Sequence, residues 1–157
     1  MTIVPFTKQD QKSTQKFMES IFEEMQWPTQ KVHGLDDLAS LFHLSDHGFL
    51  YVVKQDNTIV GSGGCVELPN KNFLLKRFYL AKALRGTGLA KKLLTTLIQE
   101  AKKRKASRIV IDVSKKNARA THFYLKTGFI QYNPKPLPAW PESLQPTMFH
   151  YYFLPIR

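Results

Sequence analysis

The sequence predicts a mixed α/β protein whose central sheet is mostly antiparallel with one parallel pair inside it. Three observations predict this class. Short apolar runs of strand length, separated by turn-forming residues, occupy much of the first 80 positions. A glycine turn, Arg85-Gly86-Thr87-Gly88-Leu89-Ala90, then feeds straight into a helix-period pattern. Behind that helix, residues 109–113 form a nearly all-apolar run, which suits a strand buried on both faces. Strand, turn, helix and strand in this order make a crossover unit, so its two strands are parallel and the crossover right-handed. At 157 residues the chain has the length of one domain, spanning 1–157.

Each element follows from local chemistry. Residues 2–6 open the chain as a strand. Phe17, Ile21 and Met25 recur at helical spacing until Trp27-Pro28 ends the pattern. A second short helix covers residues 36–42. Residues 49–53 and 58–68 are strands joined by the hairpin signal Asp56-Asn57, and residues 72–80 form another after Pro69-Asn70. Leu89, Leu93, Leu94, Leu97, Ile98 and Ala101 make one apolar stripe, with Lys91, Lys92, Thr95, Gln99 and Lys102 opposite. A further helix runs from about Asn117 to Lys126, with Gly128 at its C-cap. Residues 129–132 and 149–154 complete the strands. Pro134, Pro136, Pro138, Pro141 and Pro146 make the segment between them a long stiff loop, a kind that is often functional. About four helices flank the sheet.

Composition excludes several classes. Cys65 is the single cysteine, so neither an internal disulfide nor a cysteine metal cluster can form. His43 and His47 lie four apart without a third ligand nearby, so they read as packing or surface residues and no metal is expected. Residues 1–20 carry five charged side chains and no apolar signal core, and no apolar run approaches a membrane span. A cytoplasmic, soluble protein without a membrane partner is the expectation. The net charge of +11 is segregated: residues 1–50 hold four Lys against seven acids, whereas residues 71–157 hold eighteen Lys/Arg against Glu100, Asp112 and Glu142. One half is thereby suited to an anion, while the other tolerates or attracts cations.

Two glycines one residue apart let the backbone approach a ligand closely, and the helix that follows points its unpaired N–H groups at the turn. That arrangement suits a pyrophosphate. A Walker-type loop requires Lys-Ser/Thr after the last glycine, where Leu89-Ala90 stand instead. A dinucleotide fold begins correctly at Gly86-Thr87-Gly88, and Asp112 stands roughly where a ribose partner belongs. Lys91, however, occupies the position reserved for a residue without a side chain.

Residues 80–90 resemble the acetyl-CoA signature of the GNAT superfamily of N-acetyltransferases, Arg/Gln-x-x-Gly-x-Gly/Ala, with Arg85, Gly88 and Ala90 in its three fixed places. The family's next motif stands here as Ile111-Asp112-Val113, Asn117, Ala120, Tyr124 and Gly128-Phe129, and Leu75-Lys76-Arg77-Phe78-Tyr79-Leu80 is similar to its cofactor-side strand. The resemblance implies direct transfer of an acetyl group from acetyl-CoA to a primary amine, without a covalent enzyme intermediate. It implies that the amides of Arg85, Gly86, Thr87, Gly88, Leu89 and Ala90 hold the pyrophosphate. Phe78, Tyr79 and Leu80 would splay from residues 109–113 and pair through their backbone with the pantetheine arm. The Leu80 N–H would polarise the thioester carbonyl. Asn117 takes the place of a residue that hydrogen-bonds the cofactor arm, or acts simply as a helix N-cap.

Tyr124 takes the place of the acid that protonates the departing thiolate. A phenol at about 10 and a thiol at about 8.5 make that transfer uphill by about 2 kcal/mol. The other reading of Tyr124 is a core tyrosine. For the base, Asp112, Glu67 and water stay open, since Leu74 replaces an acid often found on the family's strand. Deprotonating a lysine-like amine at pH 7 costs about 4.6 kcal/mol against about 1 for an α-amine, so a low-pKa acceptor is easier. Glu19, Glu23, Glu24, Asp36 and Asp37 would welcome a cationic acceptor, and Trp27, Tyr132 and Trp140 either line its cleft or pack. The alternatives are a basic nucleic-acid- or ribosome-binding module, through Lys102-Lys103-Arg104-Lys105 and Lys115-Lys116-Arg119, or a non-catalytic CoA-binding regulator. Monomer and homodimer are both open.

Overall fold

The computed structural model describes residues 1–27, 34–134 and 148–157. Its strands are β1 (Thr2–Pro5), β2 (Gly48–Gln55), β3 (Thr58–Leu68), β4 (Asn72–Leu80), β5 (Arg108–Ser114), β6 (Ile130–Tyr132) and β7 (Phe149–Pro155). Its helices are α1 (Gln11–Glu24), α2 (Leu38–Leu41), α3 (Leu89–Lys103) and α4 (Ala118–Lys126). The strands make a seven-stranded sheet in the order β1-β2-β3-β4-β5-β7-β6. The expected mixed α/β class, mostly antiparallel with one parallel pair, is what forms. The chain divides into two compact units, Met1–Val66 with Leu75–Glu100 and Glu67–Leu74 with Ala101–Arg157.

In the first unit β1 runs antiparallel to β2, which runs antiparallel to β3. Asp56 and Asn57 both take left-handed φ, 48° and 66°, as a tight two-residue hairpin demands. α1 buries Phe17, Met18, Ile21 and Phe22 in a cluster with Leu38, Phe42 and Val52. Just ahead of α1, the Asp10 carboxylate accepts from the Thr7 N–H (2.9 Å) and hydroxyl (3.0 Å) and pairs with Lys54 at 2.7 Å. Burial pushes this carboxyl up, but the Lys54 ammonium and the Thr7 donors outweigh it and hold it below its ordinary value of 3.8. α3 docks through Leu89 and Leu93 onto Val53, Val60 and Leu80. A side chain at Gly63 of β3 would stand 2.9 Å from Phe78 and 3.0 Å from Leu97, so glycine is what lets these groups close on the strand.

In the second unit β4 and β5 pair in parallel over three positions, Asn72 with Arg108, Phe73 with Ile109 and Leu74 with Val110. β5 pairs antiparallel with β7 along its whole length, and β6 adds to the far edge of β7. Arg108 ties the parallel pair down, donating from Nε to Asn72 Oδ1 at 2.7 Å while its guanidinium lies over the Tyr132 and Phe153 rings. Gly128, at φ 101°, ends α4 as its position predicts.

Several boundaries differ from the sequence reading by one or two residues, and two of them have a local cause. α2 begins at Leu38 instead of residue 36, because Asp37 caps it, accepting from the Ser40 N–H (3.2 Å) and hydroxyl (2.8 Å). β6 begins at Ile130 instead of residue 129, because the Phe129 N–H turns back to the Tyr124 carbonyl at 3.0 Å. Pro28 and most of the proline-rich loop, residues 135–147, lie outside the described residues.

Candidate functional site

β4 ends at Leu80, and a 3-10 turn over Lys82–Leu84 leads to the glycine turn. Gly86 and Gly88 both take left-handed φ, 78° and 86°, which side-chain-bearing residues adopt only under strain. The Thr87 hydroxyl closes the turn on the Leu84 carbonyl at 2.6 Å. The Arg85 N–H donates to the Lys82 carbonyl and the Lys92 N–H to the Gly88 carbonyl. Between those bonds, the N–H groups of Gly86, Thr87, Gly88, Leu89, Ala90 and Lys91 have no acceptor among the described residues. A Cβ added at either glycine would meet nothing within 4 Å. The turn is therefore open, rich in donors and seated on the N-terminus of α3, with Lys91 and Lys92 exposed beside it. This donor set fits a diphosphate.

Arg85 departs from the expectation for residues 85–90. Its N–H is committed to Lys82, and its guanidinium is a strut: Nη1 and Nη2 donate to both Glu24 oxygens at 2.6 and 2.9 Å, while Nε donates to the Leu80 carbonyl at 3.1 Å. The Arg85 and Glu24 side chains are 18% and 31% exposed, so the pair is only partly shielded from solvent. It joins the last residue of α1 to the end of β4 and the start of the turn. Glu24 is thereby neutralised by a cation of the protein itself, which corrects the reading of it as an attractor of a cationic acceptor. Sequence reasoning missed this partnership, since 61 positions separate the two residues.

On β4, Leu80 is buried with Val53 and Val60, whereas Phe78 and Tyr79 are half-buried. Trp27 packs against Phe22 (5.7 Å between ring centres) and Tyr79 (6.1 Å), and Tyr79 meets Phe22 edge-on at 5.8 Å. Trp140 lies outside the described residues. Tyr132 packs edge-on against Phe153, and its buried hydroxyl has no partner among the described residues. Burial pushes the Tyr132 hydroxyl pKa up, against an opposing pull from the Arg108 charge.

In the second unit, Tyr124 on α4 is only 4% exposed, its ring edge-on to Phe123 and Phe129. Asn117 is the N-cap of α4: its Oδ1 accepts from the Ala120 N–H at 3.1 Å, which leaves its Nδ2 donors without a partner among the described residues. One side chain thus holds the helix start and still has donors to offer. Asp112 is half-buried on β5 directly opposite Tyr151. Burial pushes the Tyr151 hydroxyl pKa up, and the Asp112 charge adds to that push. Glu67, near the end of β3, is held by Lys71 at 2.8 Å. The His47 N–H donates to the His43 carbonyl, and the described residues contain no group of three His, Cys, Asp or Glu arranged for a metal ion. No described helix is long and apolar enough to cross a membrane.

An open turn of main-chain donors between a strand and a helix, on a mixed α/β sheet with one short parallel pair, is the class of fold and site the structure shows. Within it, the acetyltransferase (GNAT) family pattern matches residues 16–129, and the chain belongs to that family. An uncharacterized N-acetyltransferase from Mycobacterium tuberculosis (strain H37Rv) is 32% identical over 80 residues, a match spanning 51% of this chain and 51% of that protein. The chain thus spans about half the length of the curated relatives it matches first. A GNAT-family acetyltransferase from Staphylococcus aureus Mu50 shares the fold, with a TM-score of 0.84 at 21% identity over 99% of both chains. So does an aminoglycoside 6′-N-acetyltransferase complexed with coenzyme A, with a TM-score of 0.74 at 12% identity over 100% of this chain and 98% of that one.

Proposed function

We propose that this chain is an N-acetyltransferase that moves an acetyl group from acetyl-CoA directly to a primary amine. The observation that carries the reading is the row of N–H groups from Gly86 to Lys91 that have no acceptor among the described residues, at a turn where a Cβ on Gly86 or Gly88 would meet nothing within 4 Å. Family membership and the fold shared with a coenzyme A complex support it. When bound, acetyl-CoA supplies an acetyl group activated as a thioester and a diphosphate by which it is held.

The residues divide the work as follows. Gly86, Thr87, Gly88, Leu89 and Ala90 bind the diphosphate through main-chain donors, and Arg85 keeps that turn in place through Glu24 and Leu80. Phe78, Tyr79 and Leu80 present backbone to the amide-bearing arm, and the Leu80 N–H stabilises negative charge on the carbonyl oxygen. Asn117 offers its Nδ2 donors to the same arm. Tyr124 donates its hydroxyl proton to the leaving sulfur. Asp112 takes the proton of the incoming amine. Glu67 is the weaker candidate for that step, because its carboxylate is already engaged by Lys71. The protein acts in the cytoplasm.

The test is release of free thiol from acetyl-CoA in the presence of lysine-like, α-amino, polyamine and aminoglycoside acceptors. Thiol release that requires both protein and amine is the expected result. Salt-dependent retention on nucleic acid with no thiol release would replace this reading with that of a basic binding module.

A further inference from the structure

Arg77 lies on β4, three residues before Leu80, and combines features that packing leaves unexplained. Its φ is 54°, a left-handed conformation inside a strand. For a residue with a long side chain that conformation is strained, and such strain persists only where surrounding contacts enforce it. Here the Ser62 hydroxyl holds the carbonyl of the same residue, donating to it at 2.8 Å. The guanidinium is delivered over the Phe22 ring, 5.6 Å from its centre. Phe22 in turn belongs to the aromatic cluster with Trp27 and Tyr79.

What this guanidinium lacks is an acceptor. Its Nε is buried and makes no hydrogen bond, and no carboxylate pairs with it among the described residues. A buried unsatisfied donor costs about 1–3 kcal/mol, more when charged, so the arrangement calls for an explanation. The Nη atoms make no hydrogen bond among the described residues and, unlike Nε, are not buried. Glu24, two residues after Phe22 on α1, pairs with Arg85. The result is a planar fork of donors, stacked on an aromatic face, dry at its root and open at its tip.

We propose that Arg77 is a specificity-determining residue that receives a carboxylate on the amine acceptor, so that the preferred acceptors are amino-acid-like or peptide-like molecules carrying both groups. A guanidinium fork matches a carboxylate bidentately, and such charge-assisted bonds are among the strongest available to a protein. Arg77 stands three positions before Leu80, at most about 10 Å along the strand, a distance suited to a small bifunctional molecule. The diphosphate already has its own donors in the turn at Gly86–Gly88, so the anion at Arg77 is assigned to the other substrate, and the donor KM of Arg77→Gln tests that assignment against the 3′-phosphate of CoA. The inference rests on the acetyl-transfer reading and names the acceptor class for it.

The experiment uses paired acceptors that differ only in charge: β-alanine and β-alaninamide, γ-aminobutyrate and its amide, glycylglycine and glycylglycinamide. Thiol release is measured for the wild type, Arg77→Gln and Arg77→Lys, each first shown to be folded by thermal melting. The expected wild-type kcat/KM is about tenfold or more higher for a carboxylate than for its amide partner. In Arg77→Gln that ratio falls to within about twofold, through a higher acceptor KM, while the donor KM stays put; Arg77→Lys keeps part of the preference. Equal use of both members of every pair by the wild type, or no turnover of any carboxylate, overturns the proposal. A raised donor KM in Arg77→Gln with the acceptor ratio unchanged also overturns it, by assigning the anion to the donor. Should Arg77→Gln fail to fold, the wild-type ratios and Arg77→Lys decide. Calorimetric binding of CoA to the wild type keeps the two ideas apart: without it the transfer reading itself fails, whereas with it only the carboxylate proposal is at stake.

Discussion

Gly88→Ala and Gly128→Ala form a matched pair that separates the conformational role of a glycine from its role in binding. Both residues sit at left-handed φ, 86° and 101°, and neither has a close neighbour: a Cβ at Gly88 meets nothing within 4 Å, and one at Gly128 first meets Leu154 at 3.6 Å. Steric cost is therefore nearly all backbone. Placing an L-residue in this region costs about 1–2 kcal/mol, and the reduced freedom of the unfolded chain returns about 0.4–1 of that. Each variant should lose about 1 kcal/mol in urea denaturation, a drop of about 2–4 °C in Tm for a chain of this size. Only at Gly88 does the new methyl enter the open turn where N–H groups converge. Loss or misdirection of one charge-assisted hydrogen bond weakens CoA binding by about 10- to 100-fold in isothermal calorimetry. Gly128→Ala should bind CoA like the wild type. Equal affinity in both variants, or equal loss in both, would refute the assignment of the turn as the diphosphate site.

The remaining predictions concern single side chains. Tyr124→Phe should lower turnover about a hundredfold while leaving CoA affinity within about twofold, since it removes an acid and keeps the ring packed on Phe123 and Phe129. Unchanged turnover in thiol release would remove the acid role. Glu24→Gln should weaken CoA binding about threefold to tenfold, as the Arg85 strut loosens, with a smaller effect at high salt because the pair is only partly shielded. An affinity identical to the wild type would make the strut irrelevant to the turn. Asp10→Asn should cost about 1–2 kcal/mol at pH 7. The Asp10 carboxyl titrates below its ordinary 3.8 in the folded chain, so its contribution is complete above that pH and disappears as pH falls through the folded value. Urea titrations should therefore show the wild type and variant converging toward pH 2, and a gap that does not change between pH 7 and pH 2 would contradict the ion-pair account.

Much of the fold was legible because its signals are local. Asp56-Asn57 can turn a tight hairpin, the Leu89–Lys103 stripe repeats at helical spacing, and residues 109–113 form a nearly all-apolar run that fits an interior strand. The open turn was equally legible, since Gly86 and Gly88 advertise left-handed backbone. What could not be read were partnerships made by folding. Arg85 meets Glu24 only because the end of α1 comes to the turn, and no spacing rule links them. Arg77 looked like an ordinary strand residue, and its left-handed conformation has no sequence mark, because nothing about arginine favours it. Asn117 was read as either a cap or a ligand contact, and its Oδ1 is engaged as the cap while Nδ2 still has donors to give. Glu67 and Asp112 looked equivalent as carboxylates until Lys71 and Tyr151 distinguished their surroundings.

The most direct test is calorimetric titration of the wild-type protein with CoA and acetyl-CoA, alongside NAD and ATP as competitors for the same kind of turn. Saturable heat with both thiol carriers at one molecule per chain, and none with NAD or ATP, is the predicted result. Heat with NAD or ATP and none with either carrier would contradict the central claim that the main-chain donors from Gly86 to Lys91 grip an acetyl donor's diphosphate.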